Sequence, residues 1–178
     1  MKKYCVLPNN ARPLHVKVEE RLKKVAEYGN NCEFNRIEAG DTRIGIITSG
    51  VSYSHAREVF PKASFLKLGL TFPMPTDLIQ KFAESVETLI IIEENDPFIE
   101  TIVRTLGIKC IGKDRLPVCG ELNPDIIHQS LKEFVDKPLP ELTRMPDVEI
   151  PVRPPVLCPG CPHRGIFFIL RKLDCTVT

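Results

Sequence analysis

The feature that most constrains this chain is a beat of short apolar runs, each followed by a stretch with helix signals. "RIGIITSG" (43–50), "SFLKLGL" (64–70), "ETLIIIEE" (87–94) and "IKCIGK" (108–113) are strand-length runs. A strand buried on both faces reads in this way rather than as a strict alternation. Helix patterns follow each of them: "SYSHAREVF", "TDLIQKFAESV", "NDPFIETIVRTLG" and "NPDIIHQSLKEFV". Strands alternating with helices imply βαβ crossovers, hence a mostly parallel sheet with helices on both faces. "ETLIIIEE" is the most apolar run and is expected to be the central strand. "CEFNRIEAGD" supplies a short strand and a turn before them.

Local punctuation sharpens this reading. Thr76 is expected to cap its helix. Asn95 or Asp96 caps the next, with Pro97 in the first turn, Phe98, Ile102 and Leu106 as its stripe and Gly107 as its stop. Asn123 caps the helix that opens with Pro124. Upstream, Leu14, Val18, Leu22 and Val25 form one stripe of a helix over 11–29, with Asn9 or Asn10 as cap and Gly29 as end.

Downstream the composition changes. Of the 16 prolines, eight lie between Pro138 and Pro162. Proline removes backbone donors and disfavours helix before it, so this stretch reads as an extended connector. The expected organisation is therefore fourfold. Residues 1–32 form a helical segment linking to an absent upstream domain, 33–136 an α/β domain, 137–155 a proline-rich linker, and 156–178 the incomplete start of a second domain. That last piece holds one helix, "GIFFILRKL", and "DCTVT" as the beginning of a strand. Its Phe167–Phe168–Ile169–Leu170 face lacks a sheet, so self-association is expected.

Several classes are disfavoured. A net charge of +1 gives no electrostatic footprint for nucleic acid or an anionic membrane. No apolar run reaches the roughly 18 residues of a membrane span. The start has two lysines but no apolar stretch after them, so a cytoplasmic chain without a signal peptide is expected. The seven cysteines are scattered, and most read as small apolar residues of a reducing compartment.

Only Cys158 and Cys161 have ligand or redox spacing. In "VLCPGCPHRG" (156–165) they flank a Pro-Gly turn that can point both sulfurs one way. Three readings stand: half of a metal or iron–sulfur site, a redox dithiol, or a tight turn carrying two inert thiols. "TSG" (48–50) lies where a strand meets a helix, as anion-binding turns do, although a lone glycine more often marks a sharp turn. "EEND" (93–96) gathers carboxylates at a strand end, where helix capping is the favoured role. His15, His55 and His128 fall among charged residues of helices and read as solvated.

"RPPVLCPGCPHRG" closely resembles the opening of the thiamine-diphosphate-binding domain in alpha subunits of indolepyruvate ferredoxin oxidoreductases, which are 2-oxoacid ferredoxin oxidoreductases. "YCVLPNNARPLHVKVEERL", "GIITSGVSYSHAREVF", "LKLGLTFPMP", "IIIEENDPFIE" and "IGKDRLPVCGELNPDII" are similar to the same subunit, in the same order. The resemblance implies that 33–136 is a three-layer transketolase C-terminal-like domain. It implies an enzyme that oxidatively decarboxylates arylpyruvates with coenzyme A and passes electrons to ferredoxin, alongside a beta subunit. Thiamine diphosphate, magnesium and 4Fe-4S clusters would serve the full-length enzyme, with none stably bound to this piece and no catalytic residue within it. On this resemblance Cys158 and Cys161 are cluster ligands, and His163, Arg164 and Gly165 face the thiamine diphosphate. The competing expectation is a stand-alone α/β interaction module whose CxxC is a structural metal half-site.

Overall fold

The computed structural model describes residues 4–136, 151–152 and 156–176. The chain divides into two compact units, Met1–Pro140 and Glu141–Thr178. Most of the proline-rich stretch, and the last two residues of "DCTVT", lie outside the described residues.

In the first unit, α1 (Pro8–Asn31) leads into β1 (Arg36–Glu38) and β2 (Asp41–Ser49). Then come α2 (Gly50–Val59), β3 (Ala63–Leu68), α3 (Thr76–Glu84), β4 (Thr88–Ile92), α4 (Phe98–Thr105) and α5 (Pro124–Ser130). The strands form one sheet in the order β1-β3-β2-β4. β2 pairs in parallel with both β3 and β4, and β1 is antiparallel to β3.

Side-chain alternation along the strands assigns the two faces. Ile46, Phe65, Ile90 and Ile92 point into one cluster with Ala56 and Val59 of α2 and Ile127 of α5. Ile47, Leu66, Leu89 and Ile91 point into the other, with Ile79 and Phe82 of α3 and Ile99 and Val103 of α4. The sheet is thus covered on both faces, as the continuous apolar runs required. The β2–α2–β3 crossover runs over one face and β3–α3–β4 over the other.

The central position belongs to β2, not to "ETLIIIEE". β4 is hydrogen-bonded to β2 on one side. On its other side it gains only a single bridge, Ile90 to Ile111. "IKCIGK" contributes that bridge instead of a strand, through Ile91 N–H to Ile111 C=O (2.8 Å) and Ile111 N–H to Leu89 C=O (2.9 Å). The high apolarity of β4 reflects burial of its faces, which does not distinguish an inner strand from an outer one.

Helix ends differ from the local expectations in an instructive way. α1 begins at Pro8, ahead of Asn9 and Asn10, and runs past Gly29 to Asn31. Thr76 is the first helical residue of α3, not its cap. The α3 start is served instead by Asn30 of α1, whose Oδ1 accepts from Leu78 N–H (3.2 Å) and whose Nδ2 donates to Asp77 (2.9 Å). Asn35 locks the same region: its amide donates to the carbonyls of Gly29 and Leu70 and accepts from the N–H of Gly69 and Leu70. Of the expected N-caps Asn123 acts as one, accepting from Ile126 N–H at 2.9 Å with Pro124 as the first helical residue, and Gly107, at φ +77°, stops α4 as expected. In α4 the fully buried pair is Ile99 and Val103, while Phe98 is half exposed.

Gly45 is fixed by close approach. A Cβ on Gly45 of β2 would lie 2.6 Å from a Val86 methyl. Gly45→Ala is expected to lower stability by about 1–3 kcal/mol through overpacking. Urea melts check this: Val86→Ala introduced alongside should recover part of the loss, and an unchanged midpoint for Gly45→Ala alone would contradict the packing described.

Candidate functional site

In a doubly wound sheet, ligands bind outside the carboxyl ends of the strands where the chain's winding direction reverses. Here that point lies between β2 and β4, because β2 leads to β3 on one side while β4 lies on the other. A cleft of about 420 Å³ opens there, lined by Ser49, Gly50, Val51, Ser52, Thr71, Glu93–Asp96, Phe98 and Ile99. The "TSG" turn and the "EEND" carboxylates, far apart in sequence, form its opposite walls.

One wall is the start of α2. Gly50 has φ +57°, and Ser49 at the N-cap makes no side-chain cap. The other wall carries Glu93, which is only 6 % exposed. Its two carboxylate oxygens accept the backbone N–H of Ile99 (2.8 Å) and Glu100 (2.9 Å). Capping is thus the role of this carboxylate, but Glu93 at the end of β4 performs it, not Asn95 or Asp96. Burial pushes the Glu93 carboxyl above the usual glutamate range, against the pull of those two N–H groups and of Lys113.

Behind this wall is a buried ionic group. Glu100, 6 % exposed, accepts from Arg104 Nε (2.9 Å) and from the Lys113 N–H (2.7 Å). Lys113 Nζ donates to the carbonyls of Glu93 (2.6 Å) and Pro117 (3.1 Å). Burial draws this ammonium below the ordinary lysine value, while Glu93 and Glu100 oppose the shift. Sequence patterning did not reveal this network. Its members come from a strand end, a helix and a loop, and no fixed spacing joins them.

The second unit carries the other candidate residues. Cys161 N–H donates to the Cys158 carbonyl at 3.0 Å, and Gly160 sits at φ +78°, closing the turn between the cysteines. Cys161 Sγ lies 3.4 Å from His163 Nδ1. α6 (His163–Lys172) starts with no side-chain cap. His163, Arg164 and Gly165 therefore occupy its first turn, and a Cβ on Gly165 would meet nothing within 4 Å. The structure brings Cys161 and His163 together. Among the described residues, no group of three or more His, Cys, Asp or Glu side chains is placed to hold a metal.

No family model matches the chain. Curated relatives align with nearly all of it. Indolepyruvate oxidoreductase subunit IorA of Thermococcus kodakarensis is 34 % identical over 96 % of this chain. The same subunit of Pyrococcus abyssi is 33 % identical over 96 %, and that of Archaeoglobus fulgidus 34 % over 94 %. The chain resembles the IorA subunit. It spans 29 % of the length of each of these relatives. The fold is also similar to a solved 2-oxoglutarate:ferredoxin oxidoreductase from Magnetococcus marinus. That match has a TM-score of 0.55 and 23 % identity, and covers 72 % of this chain and 24 % of that one. The IorA resemblance drawn from the quoted motifs is borne out. Among the described residues, no helix is long and apolar enough to cross a membrane.

Glu93 gives a signed pH dependence. Its folded pKa lies above the ordinary value, so the folded chain holds more protons than the unfolded one in the window just above that value. The stability it contributes is full below the unfolded pKa and falls as pH rises through the folded one. Glu93→Gln does not titrate. The difference in melting temperature between variant and wild type should therefore move in the variant's favour from about pH 4 to about pH 7. A difference that stays constant, or moves the other way, contradicts the assignment. Glu93→Ala should lower stability by about 1–2 kcal/mol through loss of the cap.

Proposed function

We propose that this chain is part of the alpha subunit of an indolepyruvate ferredoxin oxidoreductase. The enzyme oxidatively decarboxylates arylpyruvates with coenzyme A, yielding aryl-acetyl-CoA and reduced ferredoxin, together with a beta subunit. The observation that carries this reading is the alignment of nearly the whole chain with IorA subunits at 33–34 % identity. The fold likeness to a 2-oxoglutarate:ferredoxin oxidoreductase solved with coenzyme A bound supports it. On this reading the α/β unit is the transketolase C-terminal-like domain, and residues from 156 onward open the thiamine-diphosphate-binding domain.

The residues present fit an anionic cofactor. The first turn of α6 has no side-chain cap, open space over Gly165, and the cation of Arg164. A helix start of this kind favours a diphosphate. His163, Arg164 and Gly165 would hold that group in the full-length enzyme. Thiamine diphosphate, with magnesium, supplies carbanion stabilisation when bound. The chain's part is to orient the diphosphate and balance its charge.

Cys158 and Cys161 fit two thiolate ligands of a 4Fe-4S cluster, because the Gly160 turn brings both residues to one tight loop. Two further ligands would come from elsewhere in the full-length enzyme. The test is Cys158→Ala and Cys161→Ala in the complete two-subunit protein. Iron content and ferredoxin reduction should fall in both variants, while decarboxylation survives in part. Unchanged iron and unchanged ferredoxin reduction would refute the ligand role. Zinc instead of iron and sulfide in the anaerobically purified protein would favour an interaction module.

A further inference from the structure

We propose that the cleft between the ends of β2 and β4 is a binding site for a phosphate ester of a polyol, of ribose-phosphate type. This proposal is independent of the cofactor assignment at α6. It rests on four observations that meet at one place.

First, α2 is a ten-residue helix whose start forms one wall of the cleft without a side-chain cap. Its first backbone N–H groups are the orphan donors of a helix start, and the macrodipole adds partial positive charge there. Second, Ser52 in that same turn is 4 % exposed and lines the cleft. Its hydroxyl has no hydrogen-bond partner among the described residues. Unlike Thr48 Oγ1, the buried side-chain oxygen without a partner among the described residues, this hydroxyl is not sealed off and can be reached from the cleft. A ligand oxygen in the cleft would supply a partner.

Third, the opposite wall is acidic: Glu94 and Asp96 are exposed there beside Asn95, which is held at φ +57°. A simple anion would gain at α2 and lose at these carboxylates. A ligand with an anion at one end and hydroxyl donors at the other gains at both. The same division of labour occurs where a pyrophosphate sits on a helix start and a strand-end acid accepts from a ribose hydroxyl. Fourth, the cleft of about 420 Å³ lies within the roughly 300–1,000 Å³ typical of small-molecule sites. Val51 and Phe98, 55 % and 50 % exposed, give it an apolar lip on which a sugar or base can rest.

Calorimetric titration of the 178-residue chain with ribose 5-phosphate, AMP, inorganic phosphate and ribose tests this. Ribose 5-phosphate or AMP should bind saturably, and both inorganic phosphate and ribose at least tenfold more weakly. Tighter binding of AMP than of ribose 5-phosphate supports the site and assigns it to a nucleotide. Equal binding supports it and assigns a sugar phosphate. Ser52→Asp places a carboxylate in the first turn of α2, which favours the helix while repelling a phosphate. It should weaken binding at least tenfold; Ser52→Ala, which adds no charge at this buried position, should also weaken ribose 5-phosphate binding while leaving the melting temperature close to wild type. Asp96→Ala should weaken ribose 5-phosphate but leave inorganic phosphate unchanged. The proposal is overturned by absence of saturable binding at millimolar ligand, by inorganic phosphate binding as tightly as the ester, or by undiminished binding in Ser52→Asp.

Discussion

Everything in the α/β unit depends on β2 being enclosed on four sides. β3 and β4 pair with its two edges, and α2 and α3 carry the chain across its two faces. Ile46 and Ile47, adjacent in sequence, are both fully buried, one in each cluster. A parallel sheet demands this coverage, because each crossover places a helix on a face. The same enclosure creates the cleft. A strand whose two neighbours are reached by crossovers on opposite faces leaves a gap at its carboxyl end, and β2 ends in the glycine turn that begins α2.

The second organising device is capping at a distance. The N–H groups at the starts of α3 and α4 are satisfied by Asn30 and Glu93, which arrive from a preceding helix and a strand end. Each such bond does two jobs. It satisfies an orphan donor, and it fixes the angle at which the helix leaves the sheet. Glu93 is buried for this reason, and its raised proton affinity is the cost of keeping a carboxylate behind the cleft wall. The Lys113 ammonium does not contact that carboxylate directly. It bonds to the Glu93 and Pro117 carbonyls, tying the loop after Ile111 to the end of β4.

The candidate sites were legible to different degrees. Cys158 and Cys161 stood out because thiols three apart around Pro-Gly are rare in ordinary turns, and their proximity to His163 is local enough to follow from the sequence. The cleft was visible only as two weak hints, "TSG" and "EEND", separated by more than forty residues. Each hint alone favoured a structural role, and Glu93 indeed has one. Ser52 and Thr71 gave no signal at all. A serine in an amphipathic helix and a threonine in a loop look the same whether they face solvent or a cleft.

The sequence by itself determined the order of elements, the mostly parallel sheet and the burial of both its faces. Those properties follow from hydrophobic runs and their spacing, which act over a few residues. The stripe of α1, the Asn123 cap and the tight cysteine turn belong to the same local class. Strand order was decided only in three dimensions. "ETLIIIEE" is more apolar than "RIGIITSG", yet β2 holds the centre, because pairing depends on where each crossover returns and not on the hydrophobicity of the run. Helix starts were likewise decided by which distant side chain could reach them. The meeting of Ser49–Ser52 with Glu93–Asp96 is the outcome of that topology: crossovers on opposite faces bring the ends of two strands together, and no spacing along the chain encodes the juxtaposition.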